Sequence, residues 1–390
     1  MRVLRNLALD LVLVSLRVGL RLLSRVVPTS RSVVLSASPE TEGNGVEVAR
    51  ALLGRYTGTI VWLRDGGPVP VEVEALADRG MVLVPKASPA GLWAYLRAEA
   101  VLFTHGLYGS PRPVPRKPVV NLFHGDGPKD VRPARGVGAP MASTYLVGST
   151  TLFSGFQAEA FDVPRDRLLL TGNPRTDQLW RDLTPHQLAA LGITGPYVVW
   201  LPTFRQPRAV GAVRVHDAAV VRDDAAAGLA GLLAGLADRG LQLVVKPHPM
   251  DADRRRTPGV VTIDDDDLAR VGVGLYPLLG SSAGLVTDYS SAWVDYLLVD
   301  RPIAFLVPDR STYDRELLPA DVLDWAPGEV VDNDPWTQPF AEFFADLDTH
   351  GRRGSSLRLS VAERIGLNPT TTAADDLVTE LVKRGVLDSA

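Results

Sequence analysis

From Ser32 onward, short runs of β-branched and apolar residues recur, each closed by Gly, Pro or a charge and each followed by a helical stretch. Apolar runs of this length without alternation suit strands buried on both faces, as parallel strands are between two helical layers. The first series predicts strands at Val33–Ser36, Thr59–Leu63, Met81–Val84, Val101–Thr104, Val119–Phe123 and Tyr145–Val147. A second predicts strands at Tyr197–Leu201, Leu241–Val245, Val260–Ile263, Gly284–Val286 and Ile303–Val307. Helices fit between them, notably Val46–Leu53, Ala225–Asp238 and Ala292–Val299, and Arg205–Arg222 has the weak periodicity of an irregular loop. Two βα series define an α/β chain of two doubly wound, Rossmann-like domains facing a cleft. The expected divisions are 1–28, an amphipathic membrane-associating helix; 29–184, an acceptor domain; 185–370, a donor-binding domain; and 371–390, a final helix.

The first 27 residues are rich in Leu and Val but are interrupted by Arg5, Asp10, Arg17, Arg21 and Arg25. Their longest uncharged run, Leu11–Leu16, is far short of the roughly 18 residues that suggest a membrane span. As a helix, the segment gathers Asn6, Asp10, Arg17, Arg21 and Ser24 near one stripe, with apolar residues over the rest. Such a helix can lie in the headgroup layer of an anionic membrane, or pack on its own protein. On the first choice, deleting residues 1–27 should reduce vesicle binding and leave the core folded.

A formal charge of -4 argues against a nucleic-acid partner, and the lack of cysteine removes disulfides and thiolate chemistry. The chemistry-bearing clusters instead follow predicted strands, where open α/β sheets bind ligands. In Asn121-Leu-Phe-His-Gly-Asp-Gly-Pro-Lys129, Gly125 permits a tight turn while His124, Asp126 and Lys129 offer a base, an acid and a cation. Lys246-Pro-His-Pro249 sets His248 between two prolines, beside a lysine able to neutralise phosphate. Thr287-Asp-Tyr-Ser-Ser291 leads into a helix, so Thr287, Asp288, Ser290 and Ser291 are candidates for an anion site or for simple capping. Arg175 in Gly172-Asn-Pro-Arg-Thr-Asp177 and Arg205 in Pro202-Thr-Phe-Arg205 could each clamp a diphosphate or form surface ion pairs. Asp264–Asp267 contains an Asp-x-Asp pattern but reads as a solvated helix start, and no dinucleotide or P-loop fingerprint is present.

Taken in order, His124-Gly125, Gly172-Asn-Pro-Arg175, Pro202-Thr-Phe-Arg205, Lys246-Pro-His-Pro249, Thr287-Asp-Tyr-Ser-Ser291 and the Arg301–Phe305 segment with Asp309 and Tyr313 resemble the CDP-glycerol glycerophosphotransferase family of teichoic acid and capsule synthesis. The resemblance covers roughly Val119 to Tyr313. It implies a GT-B-like fold, nucleotide held mainly by the second domain, and essential histidines at His124 and His248. Members commonly follow His-Gly with Thr-Pro-Leu-Lys, where this chain has Asp126-Gly-Pro-Lys129, so the extra carboxylate sets it apart.

The expected reaction is in-line attack by an acceptor hydroxyl on the glycerol-bearing phosphorus of CDP-glycerol, with CMP leaving. His124 is the expected base, and Asp126 orients it or the acceptor. His248, Arg175, Arg205, Lys246, Thr287, Asp288, Ser290 and Ser291 hold the donor, and Gly125, Lys129, Asp309 and Tyr313 border the acceptor or cleft. The implied partners are a CDP-alditol, a lipid-linked or polymeric glycerol-phosphate or sugar acceptor and a membrane surface, on the cytoplasmic side. No cofactor or metal ligand is assigned, and metal dependence stays open. The rivals are a CDP-ribitol transferase, a nucleotide-sugar glycosyltransferase and a non-catalytic membrane scaffold.

Overall fold

The computed structural model describes residues 2–132, 141–202, 230–247, 259–311, 313, 316–332 and 340–388, with side chains from residue 14 onward. The chain divides into two compact units. The first is Met1–Asp126, Val131–Gln178 and Gly366–Ala390, and the second is Gly127–Asp130 with Leu179–Ile365. They are not the contiguous spans expected at 29–184 and 185–370. The chain enters the second unit briefly over Gly127–Asp130, leaves the first again after Gln178, and returns to it at Gly366.

The first unit opens with helix α1 (Arg2–Val26), then β1 (Ser30–Ser36), α2 (Gly43–Arg55), β2 (Thr59–Arg64), α3 (Val71–Ala77), β3 (Val82–Pro85), α4 (Pro89–Arg97) and β4 (Ala98–Phe103). β5 (Val119–Asn121), β6 (Tyr145–Val147), α5 (Thr151–Ala160) and β7 (Leu168–Leu169) complete its sheet. The strands are all parallel, in the order β3-β2-β1-β4-β5-β6-β7. Side chains alternate across the pleat, so Val33 and Leu35 of β1 enter one core layer and Val34 the other. The final helix, Ala373–Lys383, is not a separate appendage. Its Leu377, Val378 and Leu381 join Val46, Ala49 and Leu52 of α2 in the first layer, and Arg55 donates to the Asp375 carbonyl.

The second layer takes in Leu16 and Leu20 of α1 and Tyr95 and Leu96 of α4. At the centre of this face lies Lys117, only 1% exposed, donating to Ser24 Oγ (3.2 Å) and to the carbonyls of Tyr95 (2.9 Å) and Leu96 (2.6 Å). Arg116 adds a bond to the Ser24 carbonyl. The described part of the polar stripe of α1 is therefore turned inward: Ser24 is buried, and Arg17 lies half-buried over Gly109. Val14, Val18, Leu22 and Val26, spaced four apart, face outward with Leu23. Residues 1–27 cannot be removed as a free appendage, because Leu20 and Ser24 complete this layer.

The second unit carries α6 (Pro185–Ala190), β8 (Tyr197–Trp200), a helix described over 230–237 (α7), β9 (Gln242–Val245), β10 (Val260–Thr262), α8 (Asp265–Arg270), α9 (Leu275–Gly280) and β11 (Gly284–Thr287). It continues through α10 (Ala292–Tyr296), β12 (Ile303–Leu306), β13 (Glu329–Val331), α11 (Ala341–Asp348) and α12 (Ser355–Ile365). Its parallel sheet runs β10-β9-β8-β11-β12-β13 around a core of Val198, Leu243, Val286, Ala304, Phe340 and Phe343. Chain direction across the sheet reverses between β1 and β4 in the first unit and between β8 and β11 in the second. At such switch points the loops beyond the strand ends diverge and leave room for a ligand.

Candidate active site

The loop after β5 carries His124 at the carboxyl edge of the first sheet. Phe123 and Gly125 take positive φ values of 48° and 112°, so the backbone reverses on both sides of the histidine. Such conformations persist only where the surroundings over-determine them, and here they do. Asn44 Nδ2 donates to the Phe123 carbonyl (3.2 Å), Arg175 Nη1 to that of His124 (2.5 Å) and Gln157 Nε2 to that of Gly125 (3.2 Å). Asn121 Oδ1 accepts from Phe123 N–H at 2.9 Å. A Cβ on residue 125 would lie 1.8 Å from Arg175 Nη2, which makes glycine obligatory there.

Arg175 is therefore the support beneath this loop. Its guanidinium also pairs with Glu42 at 3.9 Å and is nearly buried, an arrangement that departs from the diphosphate clamp suggested by sequence. Asp126 has a comparable task. Its Oδ2 accepts from Ser149 N (2.9 Å) and Oγ (3.1 Å), Thr150 N (2.8 Å) and Oγ1 (3.0 Å), and the Ser154 hydroxyl. Thr150 is the N-cap of α5, so the carboxylate ties the loop to the start of that helix.

The exposed His124 ring lies flat on His105, with centroids 4.4 Å apart and planes 10° apart, and meets Phe123 at 3.9 Å. His105 directly follows Thr104 at the end of β4, and the pairing of Phe103 with Asn121 brings the two loops side by side. Burial, and then the charge of Lys86, hold its imidazole below the ordinary histidine pKa. Sequence inspection does not select His105, since a single histidine beyond a strand has no motif around it. The available signal is its position one residue past a strand of the first series.

In the second unit, Thr287, Asp288, Ser290 and Ser291 follow β11 at the switch point. Thr287 Oγ1 donates to the Leu201 carbonyl, Asp288 Oδ1 accepts from Ser290 N–H and Ser290 Oγ accepts from Ala292 N–H. The helix that follows, α10, has only five residues, so its dipole is small. Gly127 packs on Ser291, where a Cβ would lie 2.5 Å from the serine Cβ. Beyond it Lys129 bridges to Leu317, so Lys129 lies in the second unit. Lys246 pairs with Asp265 at 2.8 Å, a carboxylate from the acidic run in which Asp264 and Asp267 cap α8 reciprocally. Asp309 accepts from the Tyr289 hydroxyl at 3.2 Å, and Tyr313 stacks on Tyr289 at 3.6 Å. These two residues also belong to the second unit. Arg205 and His248 lie outside the described residues. Among the described residues no three His, Asp or Glu side chains form a metal cluster.

Two parallel α/β units, each with polar residues beyond its switch point, define a Rossmann-type, ligand-binding class of protein. Within that class the chain belongs to the CDP-glycerol:poly(glycerophosphate) glycerophosphotransferase family, whose family model matches residues 60–366. It is a transferase, and glycerol-phosphate transfer from CDP-glycerol is its reaction. The fold is similar to that of the wall teichoic acid polymerase TagF, at 16% identity over 91% of this chain and 89% of that one, with a TM-score of 0.66. A TagF variant soaked with CDPG gives 0.67 at the same identity and coverage. The UDP-GlcNAc 2-epimerase of Neisseria meningitidis, bound to UDP-GlcNAc, is similar at 12% identity over 90% of this chain and 99% of that one, with a TM-score of 0.54. No curated protein matches the chain in sequence.

Proposed function

We propose that the first unit supplies the base and the second holds the donor, in transfer of glycerol phosphate from CDP-glycerol to a membrane-linked acceptor. The observation that supports this most is the loop around His124, whose carbonyls from Phe123 to Gly125 are each held by a side chain of the same unit. A base must be aimed before its basicity matters, and this loop aims one. The acceptor hydroxyl oxygen forms a bond to the glycerol-bearing phosphorus as its proton passes to His124. The bond from that phosphorus to the bridging oxygen breaks, and its electron pair leaves with CMP. His248 and Arg205, with Ser290 and Ser291, neutralise the diphosphate as charge moves to the leaving group.

Asp126 and Arg175 are positioning residues in this scheme. The outward stripe of Val14, Val18, Leu22 and Val26 is the surface that meets lipid and keeps the enzyme at a lipid-linked acceptor. No helix among the described residues is long and apolar enough to cross a membrane; the attachment proposed here is peripheral, through that stripe, at the cytoplasmic leaflet. Replacing His124 with Asn should lower transfer by about 10²–10⁴-fold while the protein stays folded. Undiminished CMP release with acceptor present would remove His124 from the chemistry.

A further inference from the structure

Beyond the base assigned above, the first sheet's switch point holds a second imidazole. Thr104 Oγ1 is fully buried and accepts from the Ser38 N–H at 3.1 Å. Its own proton is directed to His105 Nδ1, 3.1 Å away, because a buried hydroxyl proton needs an acceptor. With Nδ1 accepting, the ring proton of neutral His105 sits on Nε2, at the edge opposite Thr104. His105 as a residue is exposed. Stacking 4.4 Å from His124 discourages a second positive charge, as does Lys86. The pair thus presents two different tools side by side: one ring able to take a proton and one offering a fixed N–H donor.

We propose that His105 binds the acceptor directly, its Nε2–H holding the oxygen adjacent to the hydroxyl that His124 deprotonates. The ligand this geometry suits is a vicinal diol, as at the glycerol end of a poly(glycerophosphate) chain: one hydroxyl is held while its neighbour attacks. The inference rests on the reaction proposed above and adds a specificity-determining residue to it.

The test uses the full-length enzyme with CDP-glycerol and two soluble acceptors, one ending in glycerol phosphate and one in its 2-deoxy counterpart, 3-hydroxypropyl phosphate. The wild type should prefer the diol by about 3- to 10-fold in kcat/KM, the worth of one hydrogen bond. His105→Phe keeps a flat ring against His124 but has no donor. It should lose that preference, through a KM that rises more for the diol than for the deoxy acceptor. His105→Gln, which restores an N–H near the Nε2 position, should recover part of the preference. A preference retained in His105→Phe, or an equal loss on both acceptors, overturns the proposal. If the wild type releases no CMP with either acceptor, the reaction itself is misassigned, an outcome distinct from the first two. Nitrogen NMR of ring-labelled wild-type protein gives an independent reading. It should show His105 as the Nε2–H tautomer at pH 7, and the Nδ1–H tautomer would contradict the assignment.

Discussion

Gly125, Asp126 and Lys117 show how single side chains set the site and its support. At Gly125 an added methyl would need the volume filled by Arg175, and φ of 112° disfavours any L side chain. Gly125→Ala should displace the His124 loop and cost about 10²-fold in transfer, with near-normal circular dichroism. Asp126→Asn exchanges a carboxylate oxygen receiving several donors for an amide. It should lower unfolding free energy by about 2–3 kcal/mol, as measured by urea denaturation. Lys117 is buried without a carboxylate among its hydrogen-bond partners, and burial pushes its pKa down to about 8. Below pH 8 the ammonium is charged in folded and unfolded chains alike, and the folded state bears the full cost of burying it. Between about pH 8 and the unfolded value near 10.5 the folded chain binds fewer protons, so this group's contribution to stability rises with pH. The stability of wild type relative to Lys117→Met should climb across that window, and a flat difference would mean that the lysine is not desolvated.

At the scale of elements, α1 is both part of the core and an outward apolar surface. Its inner side is held by Lys117 and Arg116, so the informative change is on the outer stripe. Val18→Ser with Leu22→Ser should weaken binding to anionic vesicles roughly 10- to 100-fold by removing apolar area, without loss of secondary structure. Unchanged binding in a sedimentation assay would show that lipid meets another face. Most strands were legible in the sequence because buried parallel strands appear as unbroken apolar runs. β7 and β13 were not: β7 is only Leu168–Leu169, and β13 opens on the charged Glu329 and has just two apolar residues. β5 stops at Asn121, earlier than its apolar run implies, because Phe123 turns left-handed. His124 and Asp126 could be selected from the glycines around them, but the task of Asp126 could not. Ser149, Thr150 and Ser154 reach it only through the folded sheet. The same holds for His105, which meets His124 through strand pairing rather than through sequence proximity.

Over the whole molecule, chain continuity assigns the parts differently from a simple two-half division. The segment from His124 to Lys129 starts in the first unit and ends in the second, and the terminal helix closes the first unit's core. Within the second unit, Gly127 of this segment packs on Ser291. Glycerol-phosphate transfer in which His124 takes the acceptor's proton can be followed on the intact enzyme. The most direct measurement incubates purified wild type and His124→Asn with CDP-glycerol, CDP-ribitol and UDP-sugars beside a lipid-linked acceptor, and follows nucleotide release and product mass. CMP should be released from CDP-glycerol, the acceptor should gain the mass of one or more glycerol phosphates, and transfer in the variant should be at least about 10²-fold slower. Release of UDP with a sugar on the acceptor, or equal rates in both proteins, would contradict it.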